Sequence, residues 1–238
     1  MLAVTRAARD RYCPNVPIHI TEWGPSYRTS NDEASVVNGN HIGAAWTAAF
    51  LNVMLENQVD GALFLVTTDL RQQREGTWEN VWGWPSLFTN AQACGKSYPK
   101  APFHVLDMVS RLRGERVQAT SDGKTVHCFA AADGTGKRLT VLLWNYGSQI
   151  PEGGVPTETA VTDPVTLRIL EGESFFAASK VRVRRAMVSS DTSNAYGLFA
   201  QGEALDQRTE LQQVQDDVVA VTDALEVRFE APPASVSF

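Results

Sequence analysis

The sequence predicts an α/β region over residues 1–113 followed by an antiparallel β region over residues 114–238. Two observations predict the first region. Helix-like and strand-like segments alternate, and two strand-like apolar runs each end in an acid, Ile18-His19-Ile20-Thr21-Glu22 and Ala62-Leu63-Phe64-Leu65-Val66 with Asp69 beyond it. Helix, short loop, parallel strand is half of a repeating α/β unit. The third observation is a change of pattern near Gly114, after which short alternating runs are separated by turn signals, as in a β-sandwich.

In chain order, Leu2 to Tyr12 is predicted as a helix without a visible cap, broken by Cys13-Pro14-Asn15-Val16-Pro17. The run from Ile18 is bounded by Pro17 and Gly24-Pro25, like a strand. Alternation then places Ile18, Ile20 and Glu22 on one face. An apolar face ending in an acid at its C-terminal tip fits a barrel strand that carries a catalytic group; a solvated strand-end glutamate fits it too. Ala34 to Asn57 has apolar residues at helical spacing, weakened at Gly39 and Gly43 by about 1 kcal/mol each relative to Ala. Asp60-Gly61 turns the chain into the second run. Its continuous apolarity suggests a parallel strand covered on both faces.

The segment Leu70 to Lys96 holds Trp78, Trp82 and Trp84, half of the six tryptophans, and loops of this length are usually functional. Pro99 to Leu112 is predicted as a helix opened by proline. Residues 1–113 thus read as αβαβα, either the last part of a (β/α) barrel or a piece of an open parallel sheet. Strands are expected at Lys124–Ala131, Arg138–Tyr146, Val165–Ile169, Lys180–Ala186 and Ala224–Phe229, a short helix at Thr209–Asp217, and a closing edge strand after Ala231.

Composition narrows the function classes. The 238 residues are 43% hydrophobic and 20% charged, ordinary for a globular protein. A net charge of -6 without a Lys/Arg tract argues against nucleic acid. Val181-Arg182-Val183-Arg184-Arg185 is the densest basic patch and alternates like an exposed strand. No apolar stretch has the length of a membrane span, and Met1 to Tyr12 lacks the features of a secretory signal, so a cytoplasmic location is expected. Cys13, Cys94 and Cys128 have no motif spacing, and the four histidines are scattered. No metal site and no cofactor are expected.

Several stretches together resemble the C-terminal part of glycoside hydrolase family 39, the family of retaining β-xylosidases and α-L-iduronidases. Thr21-Glu22-Trp23 resembles the family's seventh-strand motif, and Asn31-Asp32-Glu33 with the Ala-rich helix follows at the family's distance. Asp60-Gly61-Ala62-Leu63-Phe64 to Asp69 resembles the eighth strand. Ser97-Tyr98-Pro99-Lys100-Ala101-Pro102-Phe103 resembles the segment opening the last barrel helix, and Asp191-Thr192-Ser193-Asn194-Ala195-Tyr196 with Gly202 resembles the tail of the accessory sandwich. The resemblance implies a partial TIM-type barrel, its last strands and helices, followed by a β-sandwich.

It also implies a reaction. Glu22 would attack the anomeric carbon, and a second carboxylic acid, about 5–5.5 Å away, would protonate the leaving oxygen. Trp23, Tyr27, Asp69, Glu75, Trp78, Glu79 and Trp84 become candidates for binding a carbohydrate substrate. The chain departs from the family at Leu65, where a Trp is usual, and around Glu75, an approximate counterpart of a sugar-binding acid. The family's acid/base Glu follows an Asn, and no Asn-Glu dipeptide occurs here. Asp69, Glu75 or Glu79 would have to substitute.

The chain therefore resembles a truncated frame, an internal start or a piece of a longer protein. The expected function is an impaired glycosidase acting on xylo-oligosaccharides or related glycosides. The alternatives are a non-catalytic carbohydrate-binding or accessory module, or an inactive fragment that associates with itself through an open sheet edge.

Overall fold

The structure, a computed structural model, describes residues 2–28, 33–69, 73–74, 77–78, 82–123, 125–135, 137–147, 161–222 and 224–238. The chain opens with α1 (Leu2–Tyr12), in which no residue is buried. Arg6 tethers it, donating to the Gln58 side chain at 2.6 Å and the Glu56 carbonyl at 3.5 Å. Next comes β1 (His19–Trp23), followed by α2 (Glu33–Val36), α3 (His41–Glu56) and β2 (Gly61–Phe64). β1 and β2 are parallel and, among the described residues, pair only with each other. The Asp60 carboxylate locks the entry to β1 by accepting from the Ile18 amide at 2.7 Å.

Three expectations for this region are corrected. The helix predicted over Ala34–Asn57 is two helices. Asn40 caps α3, accepting from the amides of Ile42 and Gly43, and the buried Asn38 spends its side chain on neighbouring loops. The turn between the helices brings the Val37 carbonyl against α3, where a Cβ on Gly43 would lie 1.7 Å from its oxygen, so only glycine fits. The face shared by Ile18, Ile20 and Glu22 is interrupted, because the register shifts between Ile20 and Trp23. Such an extra residue re-aims the side chains beyond it. And β2 is not covered on both faces: Ala62 and Leu63 are exposed, Leu63 at 66%.

Further along lie β3 (Gln73–Arg74), β4 (Thr77–Trp78), α4 (Ala91–Cys94) and α5 (Ala101–Ser110). The antiparallel part then runs through β5 (Glu115–Val117), β6 (Val126–Asp133), β7 (Arg138–Asn145) and β8 (Asp163–Leu170). It continues with α6 (Gly172–Phe176), β9 (Lys180–Val188), α7 (Ala195–Ala200), a 3₁₀ turn (Gln207–Thr209), β10 (Gln212–Ala220), β11 (Ala224–Ala231) and β12 (Ser235–Ser237). A six-stranded antiparallel sheet has the order β10-β9-β12-β7-β6-β5, and β8 pairs with β11 in a second sheet.

One face of the larger sheet carries the main core. Ala44, Ala45 and Ala48 of α3 and Ala101, Val105 and Met108 of α5 pack on Leu142, Trp144, Val188 and Val236. Small residues on α3 let the helix lie close to the strands. The opposite face meets the β8–β11 pair through Leu143, Val165, Phe229 and Ala231.

Two more expectations fail here. Thr209–Asp217 is not a helix. Gln212 onward pairs with β9, and Arg182 grips Asp216 through two bonds of 2.5 and 2.7 Å, so cross-strand partners override local preference. The C-terminal strand is not at an edge, because β12 lies between β7 and β9. The described residues hold two parallel strands and close no barrel. None of their helices is long and apolar enough to cross a membrane.

Candidate active site

Glu22 sits near the C-terminal end of β1 and is exposed. It has no hydrogen bond and no ion pair with any described residue. Its neighbour Trp23 turns the other way and is buried. The indole packs on Phe64 at 4.9 Å, Phe50 at 5.5 Å and Trp46 at 6.3 Å, which fastens β1 to β2 and α3. The strand end therefore presents its carboxylate to solvent from a rigid aromatic footing.

The chain beyond β2 is fixed just as firmly. Residues 85–88 run beside it: the Val66 amide donates to the Pro85 carbonyl, that of Leu87 to Val66, that of Phe88 to Thr67 and that of Asp69 to Phe88. Beneath this lies an ion pair. The Lys100 ammonium is 2.7 Å from Asp69 Oδ1, with both side chains buried, and it also donates to the Trp84 carbonyl at 3.1 Å. The same Asp69 oxygen accepts from the Ser86 hydroxyl at 2.5 Å, and Oδ2 accepts from the Asn90 amide at 3.2 Å.

Burial pushes the Asp69 carboxyl up, against the lowering pull of Lys100, Ser86 and Asn90. It pushes the Lys100 ammonium down to about 8, opposed by Asp69. With each oxygen engaged, Asp69 braces the loop from within.

Asn38 is the second brace. It is fully buried, accepts from the Ser26 amide at 2.8 Å, and donates to the carbonyls of Gly83 at 2.8 Å and Arg28 at 3.0 Å. The loop after β1 and the segment around Trp84 are thereby joined through one side chain. Neither Asn38 nor Lys100 stood out as a site residue in the sequence. An asparagine inside a helical pattern and a lysine between two prolines both look solvated, and only burial reveals them.

Of the remaining candidates, Tyr27 is exposed at 83% on the loop after β1. Trp84 is partly buried, and its indole Nε1 is buried without a hydrogen-bond partner. Trp78 lies in β4, its backbone paired with Gln73. Glu75 and Glu79 lie outside the described residues. Trp82 is buried against Tyr196 and Phe199 of α7, so it ties the loop to the β region. The structure therefore places Tyr27 and Trp84 on loops that Asn38 and Asp69 hold, and Glu22 on the strand that leads into the first of them, while Trp23 and Asp69 face inward. No group of three or more His, Cys, Asp or Glu among the described residues could hold a metal ion.

The fold has counterparts among solved structures, although no family model and no curated protein matches the sequence. It is similar to a monomeric β-xylosidase from Caulobacter crescentus CB15, with a TM-score of 0.72 and 17% identity over 99% of this chain and 48% of that one. A GH51 α-L-arabinofuranosidase from Thermotoga petrophila RKU-1 aligns with a TM-score of 0.61 and 12% identity, over 99% of this chain and 46% of that one. A family 86 β-porphyranase from the human gut bacterium Bacteroides plebeius gives 0.56 and 14%, over 99% and 37%. The chain thus spans about half the length of the first of these and shares a fold with part of each glycoside hydrolase.

Proposed function

We propose that the chain carries the nucleophile end of a retaining glycoside hydrolase site, with Glu22 as nucleophile, acting on xylo-oligosaccharides or related glycosides. The observation that carries this is the exposed Glu22 at the tip of a parallel strand, in a fold shared with glycoside hydrolases. Trp84 and Tyr27 are the described side chains best placed to meet a sugar; Trp78, Glu75 and Glu79 extend the same loop. Trp23 and Asp69 then support the site from below.

The general acid is the weak point. Asp69 is held in its ion pair, so the acid falls to Glu75 or Glu79 or is lacking. Positioned acid catalysis contributes about 10²–10⁴ in rate. Hydrolysis of an activated aryl xyloside should therefore exceed that of xylobiose by a similar factor. Glu22→Gln should abolish it, and a fluoro-sugar inactivator should add its mass to the Glu22 peptide. Equal efficiency on both substrates, or full activity in the Gln variant, would refute the proposal.

One observation favours a second reading, a non-catalytic sugar-binding module: Glu22 has no hydrogen-bonding or ionic partner among the described residues. Saturable xylo-oligosaccharide binding without turnover or labelling would select it.

A further inference from the structure

The segment that carries Trp84 is held one peptide at a time. The Gly83 carbonyl accepts from Asn38 Nδ2 at 2.8 Å. The Trp84 carbonyl accepts from Lys100 Nζ at 3.1 Å and from the Ser86 amide at 2.8 Å. Lys100 and Ser86 also share a second acceptor, Asp69 Oδ1, at 2.7 and 2.5 Å. Two donors and two acceptors thus close a ring, and the backbone of Trp84 is part of it. The Pro85 carbonyl beyond it accepts from the Val66 amide, so the next peptide is tied to the chain after β2.

Lys100 is the cation of this ring. Its side chain is fully buried, and the turn between α2 and α3 packs on its stem: a Cβ on Gly39 would lie 3.4 Å from Lys100 Cδ. The titratable groups that act on the ammonium are Asp69, from the chain after β2, and Cys94, from α4. Burial pushes the Cys94 thiol up, so it stays neutral in mildly alkaline solution and supplies no second counter-charge. Burial pushes the ammonium itself down to about 8, against the raising pull of Asp69. Ser86 and Asn38 have no proton to lose in this range, so Lys100 is the member of the network that changes state there.

Proton loss acts on both acceptors at once. A charge-assisted hydrogen bond is about twice as strong as a neutral one, so the hold on the Trp84 carbonyl weakens. Asp69 stays ionised and becomes a buried anion without its counter-ion, a costly state that favours movement of the segment or entry of water. The effect falls on Trp84 because its own carbonyl is in the ring, whereas Gly83 keeps its bond to Asn38.

We propose that Lys100 is a positioning residue for the sugar site: its charged ammonium fixes Trp84 for binding, and release of the ammonium proton in mildly alkaline solution loosens Trp84 and weakens sugar binding. The proposal rests on the reading of Trp84 as a sugar-binding residue. Only the charged fraction is competent, so with a midpoint near pH 8 the apparent affinity should fall about tenfold between pH 7 and pH 9.

The test uses the whole chain grown with 5-fluorotryptophan, the Trp84 fluorine resonance being assigned with Trp84→Phe. Without sugar, that resonance should shift with pH around a midpoint near 8, while that of Trp144, buried in the main core, stays still. Xylotriose should move the Trp84 resonance saturably at pH 7, with a Kd about tenfold higher at pH 9. Asp69→Asn removes the charge that raises the Lys100 pKa and should move the midpoint down. Lys100→Met should abolish the pH dependence. The proposal is overturned if the Trp84 resonance does not titrate, if all six tryptophans shift together, or if xylotriose binds equally at the two pH values. A midpoint unchanged in Asp69→Asn would place the titration elsewhere and overturn it too. Absence of any response to xylotriose at either pH refutes the glycosidase reading itself, and the role of Lys100 toward sugar falls with it. The pH series on the unmodified chain decides the matter whether or not the variants fold.

Discussion

Replacing Lys100 by methionine tests how the loop beneath the candidate site is held. The substitution keeps the apolar stem and removes the ammonium. Asp69 then keeps the Ser86 hydroxyl and the Asn90 amide but loses its counter-ion, and the Trp84 carbonyl loses its donor. Removing one partner of a buried pair costs about 3–5 kcal/mol. The two remaining hydrogen bonds to Asp69, and its readiness to take up a proton, place the expected loss near the lower end, about 3 kcal/mol.

That is a large share of a total stability of about 5–15 kcal/mol. Asp69→Asn leaves the ammonium unpaired instead. It also removes the charge that raises the Lys100 pKa, so the amine should become neutral, and this variant should lose less stability at pH 9 than at pH 7. The double variant Asp69→Asn/Lys100→Met buries no charge and should lose less stability than either single variant. Urea midpoints at constant m for the four proteins give the coupling energy, expected to exceed about 2 kcal/mol. Additive single effects, or a Lys100→Met loss under about 1 kcal/mol, would refute the bracing role.

Asn38→Ala removes two buried hydrogen bonds and one partly buried one and should cost about 2–4 kcal/mol by urea unfolding, while loosening the loop that carries Tyr27. His104 is buried against the Thr209 carbonyl, at 2.8 Å, and burial holds its pKa below the ordinary 6.5. On acidification the unfolded chain takes up this proton first, so stability should fall from about pH 6.5 down to the folded-state pKa, with a slope of at most about 1.4 kcal/mol per pH unit. His104→Gln should flatten that slope in thermal melts across pH. Leu63, 66% exposed on the two-stranded sheet, should drive association. Sedimentation velocity should show the parent chain associating and Leu63→Lys doing so less; identical profiles would remove this role.

Local patterns were enough to place α1, β1, β2, α5 and most of the antiparallel strands, because each depends on punctuation by Pro and Gly and on short-range alternation. The position of Glu22 at a strand tip was legible for the same reason. What local patterns could not supply was partnership. Asn38 and Lys100 look like solvated polar residues until three loops and an acid converge on them. Trp23 sits next to Glu22 in the motif, yet a register shift and three aromatic neighbours turn it into the core.

Residues 209–217 looked helical because nothing nearby announces Arg182 and Arg184 across the sheet. The C-terminal strand looked like an edge because its two neighbours, β7 and β9, are far away in sequence. Local conformation follows from torsional preference and periodicity within a few residues. Burial and ion pairing arise from contacts between distant segments, so only the tertiary structure decided them.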